Sequence, residues 1–440
     1  MLLETLESLR SRARMVEESA PVRIHGRISR VVGLVMEGNG VGASVGEFCE
    51  VYPKDGGAPV QCEVVGFSDD KILLMPLGEV RGIGPGSRMV AKRRSATVGV
   101  GAGLLGRTMN ALGDPLDGEW PAKLEKEYPL YAQPPNPLSR RRIDSPLNVG
   151  VKAINGILTV GKGQRIGIFA GSGVGKSVLL GMMARYTEAD VNVIALVGER
   201  GREVKEFIEK DLGDGIKRSV LVVATSDQPP LLRMRAPLLA TAIAEYFRDQ
   251  GKNVLLMMDS ITRFAMAQRE VGLAVGEPPA TKGYPPSVFA LLPKLLERAG
   301  TSAGPGSITG FYTILAEGDD VNDPVADCAR SILDGHIVLS RDIAAQGHYP
   351  AIDILVSISR VMPDIITPEH KKIALRLKSI LATYKRAYDL ISIGAYKQGS
   401  DPKVDHAINV IDKINNFLQQ DVSEKVDYED TLQRLFSLGI

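Results

Sequence analysis

The stretch Gln164–Leu180 has the sequence QRIGIFAGSGVGKSVLL, and the rest of the chain is organised around it. Apolar residues 166–169 predict a buried strand, the three glycines after it predict a tight turn, and Lys176 begins an amphipathic helix. Glycines let backbone N–H groups surround a phosphate, and the N-terminus of a helix adds partial positive charge. The stretch therefore predicts a phosphate-binding loop.

Within the loop, Lys176 is placed to reach the β- and γ-phosphates of a nucleotide, and the Ser177 hydroxyl to ligate Mg²⁺. The full motif has glycine six positions before the lysine, where this chain has Ala170. We expect the extra methyl group to cost little, because the three glycines nearest the lysine are present. The residues expected to bind the nucleotide are Gly171, Ser172, Gly173, Val174, Gly175, Lys176, Ser177 and Val178.

The composition is that of an ordinary globular protein. The chain has 440 residues, 44% of them apolar and 24% charged, which predicts two or three domains. A net charge of +1 gives no reason to expect a nucleic acid as partner. Three scattered cysteines form neither a metal-ligand spacing nor a disulfide framework, which favours the cytoplasm. The sequence has neither the apolar run of about 18 residues that spans a membrane nor a secretory signal.

Changes of residue pattern divide the chain into four predicted parts. Residues 1–20 form a helix, and residues 21–98 alternate short β-rich pieces with turns, as in a small barrel or sandwich. Residues 99–365 begin with a Gly- and Pro-rich connector and continue as alternating strands and helices, whereas residues 366–440 are helical. The third part has continuous apolar strands, which predicts an α/β domain with a parallel sheet. Its predicted strands are 165–169, 191–197, 219–224, 254–258, 307–315 and 336–340.

An apolar stripe marks the N-terminal helix, at Leu2, Leu6, Leu9, Ala13 and Val16. Its spacing alternates between four and three residues, so it forms one face of about two helical heptads. Such a short helix is marginal alone. It docks on a partner or on anionic lipid, or it folds back on its own domain, and the pattern does not separate these alternatives.

Two acids lie where strands of the predicted sheet end. Glu199 comes shortly after strand 191–197, and Asp259 directly follows strand 254–258. Because ligands of such sheets bind at the carboxyl ends of the strands, we expect both acids beside the phosphate loop. Glu199 would orient the water that attacks the γ-phosphate, and Asp259 would hold Mg²⁺ directly or through water. An acid at a strand end is more often a helix cap, but a neighbouring phosphate loop favours the catalytic interpretation.

Several motifs together resemble the rotary ATPase family, namely residues 167–177, 197–203, 257–264, 347–353 and 356–360. Further pieces are similar to the branch of this family that serves flagellar type III protein export, namely 103–107, 110–118, 134–142 and 394–402. The resemblance covers nearly the whole chain from about residue 20 onward. It implies a RecA-like P-loop core with a parallel sheet, preceded by a small β-barrel and followed by a helical domain.

The resemblance also implies roles for single residues. Glu199 matches the residue that activates water, and Asp259 the Walker B acid. Arg360 matches the arginine finger that enters the neighbouring subunit's site. The pattern of arginines in the sequence does not by itself identify this residue. Such a finger contributes about 10³–10⁵ in rate. Tyr349 matches the aromatic residue that stacks on adenine.

A second aromatic residue follows a Phe-Leu-x-Gln pattern in the catalytic subunits of ATP synthases. In this chain that pattern, at 417–420, is followed by Asp421 and Val422. The resemblance therefore implies only one aromatic wall for adenine, and a looser selectivity for the base.

This single chain carries both Glu199 and Arg360, so a homo-oligomeric ring presents a complete site at every interface. The resemblance implies a homohexamer, and an isolated subunit should be a poor ATPase. It also implies a regulatory, stator-like export protein at the N-terminal helix, which favours the partner interpretation of the apolar stripe. Further implied partners are export gate proteins and chaperone–cargo complexes, at a cytoplasmic location peripheral to the inner membrane.

The function implied is ATP hydrolysis that drives flagellar protein export, by release or unfolding of cargo at the export gate. One alternative is the ATPase of an injectisome, whose motifs are nearly the same. Another is a regulatory nucleotide-binding subunit. Glu199 argues against this alternative, because a regulatory site needs no acid there. A helicase or RNA translocase is disfavoured by the near-neutral charge. Residues 317–324 either line a central pore or cap the next helix.

Overall fold

The computed structural model describes residues 25–40, 42–92, 96–118, 124–315 and 323–440. The helix predicted for residues 1–20 lies outside the described residues, as does most of segment 317–324. Contacts divide the chain into two compact units, Met1–Ala96 with Ala274–Gly276, and Thr97–Leu273 with Glu277–Ile440.

Six strands of the first unit close into a barrel, as the sequence predicts. They are β1 (His25–Val32), β2 (Val35–Asn39), β3 (Phe48–Val51), β4 (Val60–Ser68), β5 (Lys71–Pro76) and β6 (Arg88–Ala91). All neighbours are antiparallel, in the order β1-β2-β5-β4-β3-β6. The interior is filled by apolar side chains that include Ile28, Met36, Val51, Val64, Leu74 and Met89.

Strand β2 is absent from the sequence prediction, because Val-Met-Glu-Gly-Asn has little β-propensity. Packing inside the barrel sets this strand. Met36 is buried, and Gly38 lies so close to Met89 that a Cβ there would stand 2.9 Å from the methionine methyl group. Tertiary contacts thus override local preference here.

The second unit is built on the predicted parallel sheet. Seven parallel strands follow one another across it in the order β16-β10-β15-β13-β11-β12-β8, and a short strand, β17, pairs antiparallel with β16. Outside this path, β14 pairs with β15, and β7 pairs with β9. The strands are β7 (Thr97–Val100), β8 (Thr108–Asn110), β9 (Lys126–Pro129), β10 (Arg165–Ala170), β11 (Val191–Val197), β12 (Ser219–Ala224), β13 (Asn253–Asp259), β14 (Gly300–Thr301), β15 (Ser307–Leu315), β16 (Gly335–Leu339) and β17 (Ile358–Ser359).

The six predicted strands of the sheet all form, with boundaries within one residue of those predicted. Every residue of β11 and of β12 is buried, as expected for strands covered on both faces. Strand β10, which leads into the phosphate loop, lies between β15 and β16. The carboxyl ends of these parallel strands therefore surround the loop.

Besides the two-residue strands β14 and β17, the sequence did not predict the parallel strand β8, because it lies in the Gly- and Pro-rich connector. It is three residues long and pairs with β12. The Asp117 carboxylate accepts the Thr108 N–H at 2.9 Å, and the Asn110 side chain accepts the N–H groups of Leu112 and Asp114. These side-chain bonds, rather than an apolar run, hold the connector at the sheet edge.

Helices cover the sheet and form the C-terminal region. In the described residues they are α1 (Lys152–Ile157), α2 (Lys176–Tyr186), α3 (Gly201–Glu206), α4 (Pro230–Asp249), α5 (Ile261–Ala274), α6 (Pro286–Leu296), α7 (Pro324–Ile332), α8 (Arg341–Ala345), α9 (Met362–Ile365), α10 (Pro368–Ser392), α11 (Pro402–Leu418) and α12 (Tyr428–Ser437). Asp323 caps α7 through the N–H groups of Val325 and Ala326. None of the helices described has the length and hydropathy needed to cross a membrane.

Candidate active site

The phosphate loop connects β10 to α2, and its glycines have the backbone geometry that the motif requires. Gly173 and Gly175 have φ angles of 79° and 84°, in the left-handed region that side chains disfavour. Ala170 instead lies in the extended strand, paired with Leu315 and Leu339, and its methyl group is buried in the core. Glycine is not needed at a position of this kind, which explains why the motif tolerates alanine there.

The loop forms one wall of a cleft of about 630 Å³. The cleft-lining residues foreseen from the sequence are Gly171, Ser172, Gly173, Gly175, Lys176, Ser177, Val178 and Glu199. Val174 differs from the other loop residues, because its side chain is buried in the core. It can therefore contribute to the cleft only through its backbone.

Lys176 lies between the two predicted acids. Its Nζ is 2.6 Å from Oδ1 of Asp259 and 3.5 Å from Oε1 of Glu199. Thr313 donates its hydroxyl to the same Asp259 oxygen at 2.6 Å. Burial lowers the pKa of Lys176, but the two carboxylates outweigh burial and hold the pKa above its ordinary value. The lysine is therefore a fixed cation at the centre of the site.

Glu199 is the group of this site that titrates near neutral pH. Its pKa is raised to about 7, first by burial and then by repulsion from Asp259, while Lys176 acts in the opposite direction. A hydrogen bond with Glu203 also favours the protonated form of Glu199, and lowers the pKa of Glu203. A carboxylate that is half-protonated near neutral pH is suited to accept a proton from water.

The cleft residues that were not identified from the sequence include Arg263 on α5 and Arg341 at the start of α8. Both pack against glycine backbone. A Cβ on Gly171 would stand 2.8 Å from Nε of Arg341, and one on Gly198 would stand 3.0 Å from Cβ of Arg263. Arg341 lies two residues after the end of β16, so the strand-end rule applied to the acids would have found it. These two cations add positive charge to the wall of the cleft.

Tyr349, which the resemblance assigns to the adenine, lies beside the phosphate loop. Its ring carbons are 3.5 Å from the position that a Cβ on Gly175 would take, and the side chain is 44% exposed. The Tyr349 carbonyl accepts the N–H of Gln420 at 2.9 Å, which brings the 417–420 segment to this place. Phe417 is buried in the core, and Val422 is 41% exposed. Of the side chains considered for the adenine, Tyr349 is thus the aromatic one at this surface.

Arg360 lies apart from the cleft of its own chain. It follows β17, which is separated from β10 by β16, and the described residues that line the cleft do not include it. Its side chain is exposed, and Nη2 donates to the Arg330 carbonyl at 3.4 Å. The structure therefore brings Lys176, Ser177, Glu199 and Asp259 together and leaves Arg360 at the sheet edge.

Three family models match the chain. The nucleotide-binding domain of the ATP synthase alpha/beta family matches residues 150–359, and the β-barrel domain of that family matches residues 28–91. The C-terminal domain of the type 3 secretion ATPase EscN matches residues 366–437. Together these matches cover the barrel, the sheet and the C-terminal helices.

Known relatives are similar along nearly their whole length. A protein of Bacillus subtilis named flagellum-specific ATP synthase is 54% identical over 96% of this chain and 97% of its own length. One of the same name from Salmonella typhimurium is 55% identical over 94% and 93%. A type 3 secretion system ATPase of Xanthomonas euvesicatoria is 52% identical over 94% of each chain.

Among solved structures, the assembled ATPase EscN of the enteropathogenic E. coli type III secretion system superimposes with a TM-score of 0.89. The two sequences are 49% identical over 94% of this chain and all of that one. EscN in complex with its central stalk EscO gives a TM-score of 0.87 at 48% identity, with the same coverage.

Proposed function

This chain belongs to the family of flagellum-specific and type 3 secretion ATPases, a branch of the ATP synthase alpha/beta family, and from this membership we propose how its residues hydrolyse ATP. It is a nucleotide-binding ATP hydrolase of the flagellar export type. The alternative, an injectisome ATPase, is not supported better by the relatives. The observation that carries the proposed mechanism is that Lys176, on the cleft wall, contacts both Asp259 and Glu199.

The residues of the phosphate loop and of the surrounding cleft have distinct roles in this proposal. Lys176 neutralises the β- and γ-phosphates, while the backbone of residues 171–178 surrounds them. Glu199 accepts a proton from the attacking water, for which its pKa of about 7 is suited. Tyr349 stacks on the adenine. Arg263 and Arg341 add positive charge from the same subunit.

The residues present also fit a magnesium ion. Mg²⁺ is held in phosphoryl-transfer sites by one or two protein oxygens together with substrate phosphates and water. Here the Ser177 hydroxyl lines the cleft, and the Asp259 carboxylate lies behind Lys176. No larger cluster of potential metal ligands occurs in the described part of the chain, which agrees with an ion bound mainly by the nucleotide. When bound, the ion supplies charge that stabilises the transferring phosphoryl group.

Arg360 acts on the site of a neighbouring copy. Its exposed side chain at the sheet edge, outside its own cleft, supports this role. A homohexamer would then carry one complete site at each interface, and the related EscN has been solved as an assembled ATPase. An arginine supplied in trans is worth about 10³–10⁵ in rate.

We also propose the domain bounds, the location and the partners of this chain. We divide the chain into an N-terminal partner helix (1–20), a barrel domain (21–98), an ATPase domain (99–365) and a helical domain (366–440). The enzyme works in the cytoplasm at the inner membrane, with a regulatory export protein, gate proteins and chaperone–cargo complexes. The complex of the related EscN with its stalk supports a regulatory partner.

The test is the ATPase activity per subunit across a range of protein concentrations, with particle size measured in the same samples. We expect activity per subunit to rise as the oligomer forms, because the monomer lacks the trans arginine. Equal activity per subunit in monomer and oligomer would contradict the shared site. Glu199→Gln should abolish activity in the oligomer, and an unchanged rate would remove Glu199 from the mechanism.

A further inference from the structure

Arg330, in the last turn of α7, lies against the strand that leads into the phosphate loop. Its guanidinium carbon is 4.8 Å from the centroid of the Phe169 ring, within the range of a cation–π contact. Phe169 is the last residue but one of β10, two positions before Gly171. Arg330 therefore contacts the end of the strand from which the phosphate loop starts.

The main chain of Arg330 contacts the finger. Its carbonyl accepts the Arg360 guanidinium at 3.4 Å. The helix does not use this carbonyl, because the N–H that would bond to it, that of Asp334, donates to the Arg165 carbonyl instead. A carbonyl in the last turn of a helix carries partial negative charge and attracts a cation. The end of α7 is thus a docking point for Arg360.

His336 completes a compact cluster with these residues. Its ring centroid is 5.8 Å from that of Phe169, and its Nε2 lies 2.9 Å from the Val356 carbonyl on the segment that leads to Arg360. Burial is the main cause that lowers the pKa of His336, and the nearby charges of Arg330, Arg360 and Lys378 lower it further. Three cations are therefore grouped around a neutral imidazole.

Neither Arg330 nor Arg360 has a carboxylate within ion-pair distance among the described residues. Arg330 finds its partner in an aromatic ring, and Arg360 in a backbone carbonyl. Two neighbouring cations of this kind attract an approaching anion. The phosphates of a nucleotide bound to the neighbouring subunit are such an anion. The cluster is thus built to present positive charge outward while its other side contacts its own loop strand.

We propose that Arg330 is a positioning residue that links the strand under a subunit's own phosphate loop to the finger that this subunit presents to its neighbour. The proposal rests on the proposed function in taking Arg360 as a residue that acts in trans. It adds a path by which occupation of one site adjusts the finger at the next: Phe169 at the loop strand, Arg330 over its ring, and Arg360 on the Arg330 carbonyl.

The first test is complementation in mixed oligomers. Arg330→Gln alone should lower kcat about ten- to hundredfold, with KM within about twofold, because the finger is misplaced while the nucleotide cleft is intact. Mixing this variant with inactive Glu199→Gln should raise activity severalfold above that of either variant alone. Each Glu199→Gln subunit donates an intact finger to an Arg330→Gln neighbour whose own site is complete.

A mixture no more active than the average of its two components would overturn the proposal, because Arg330 would then serve only its own site or the fold. The parallel mixture of Arg360→Ala with Glu199→Gln tests the trans finger itself. If that mixture recovers activity and the Arg330→Gln mixture does not, the proposed function stands and the link fails. If neither recovers, the trans finger is wrong as well.

A second test examines the contact with the ring. Arg330→Lys keeps a cation over Phe169 and should retain most of the activity. Phe169→Leu removes the ring but keeps an apolar side chain, and should lower kcat as Arg330→Gln does. The double variant should be no slower than the slower single variant, because both changes break the same contact. Losses that multiply would show that the two residues act independently.

Discussion

The cleft and the edge of the sheet that carries Arg360 differ in how their charges are satisfied. In the cleft, Lys176 contacts both Asp259 and Glu199, and all three side chains are largely buried. At the edge, Arg360 is exposed and bonds only weakly to a carbonyl of its own chain. One region thus contains its own counter-charges, whereas the other exposes a cation that forms no ion pair with a carboxylate among the described residues.

The largest effect should follow from removing the cation of the cleft. Lys176→Ala leaves two neighbouring acids without their common partner and removes the phosphate ligand. We expect ATP binding to be lost and kcat to fall by at least about 10³-fold, measured by equilibrium binding and steady-state hydrolysis. Lys205→Ala, at a side chain that is 75% exposed, is the matched control and should change neither quantity. Tight ATP binding by Lys176→Ala would contradict its role.

Arg360→Ala should have a more selective effect. The proposed site needs this residue only from a neighbour, so ATP binding should persist while kcat falls about 10³-fold in the oligomer. Oligomer size, measured by light scattering, should stay the same. Arg202→Ala changes an arginine that is 72% exposed and serves as control. If Arg360→Ala instead weakens ATP binding to the monomer, Arg360 contributes to the cleft of its own subunit, and the two regions are not independent.

A moderate effect should appear in the pH dependence. Glu199 must be deprotonated to accept a proton, so kcat/KM should rise with pH through about 7, where this group titrates. Glu203 favours the protonated form of Glu199, so Glu203→Gln should move this rise to lower pH. Glu209→Gln, at an exposed residue further along the chain, should leave the profile unchanged. An identical midpoint in Glu203→Gln and wild type would exclude the coupling.

The smallest effect concerns the adenine. Tyr349→Ala should raise KM for ATP about three- to tenfold with little change in kcat, because stacking contributes about 0.5–1.5 kcal/mol. Val422→Phe places a ring after the Phe-Leu-x-Gln pattern, where the resemblance places the second aromatic residue of ATP synthase catalytic subunits, and should lower KM by a similar factor while improving the preference for ATP over GTP. Unchanged KM values in both variants would place the base elsewhere.

The sequence predicted the sheet well because its strands are continuous apolar runs buried on both faces. It missed β2 and β8, whose positions depend on side-chain packing inside the barrel and on the hydrogen bonds of Asn110 and Asp117. No pattern of hydrophobic residues marks either strand. Their prediction needs the partners that only the folded chain supplies.

The same limit applied to the cleft. Lys176 and Glu199 were predicted from the sequence because one lies in the phosphate loop and the other follows a strand. Arg263 was missed because nothing in the sequence shows that its helix turns this side chain toward the cleft. Arg341 follows a strand of the sheet, so the strand-end rule that identified the two acids would also have identified it. Arg360 required the family resemblance, since an arginine that acts on another subunit leaves no local pattern.

The extended backbone at Ala170 has a consequence for how phosphate loops are recognised. A search pattern that demands glycine at this place would pass over the chain, although the torsion angles of the loop are those of the motif. The requirement is better written as geometry: an extended residue whose side chain faces inward, followed by left-handed residues at 173 and 175. Expressed in this way, the motif admits any side chain at the first position that the core has room to hold.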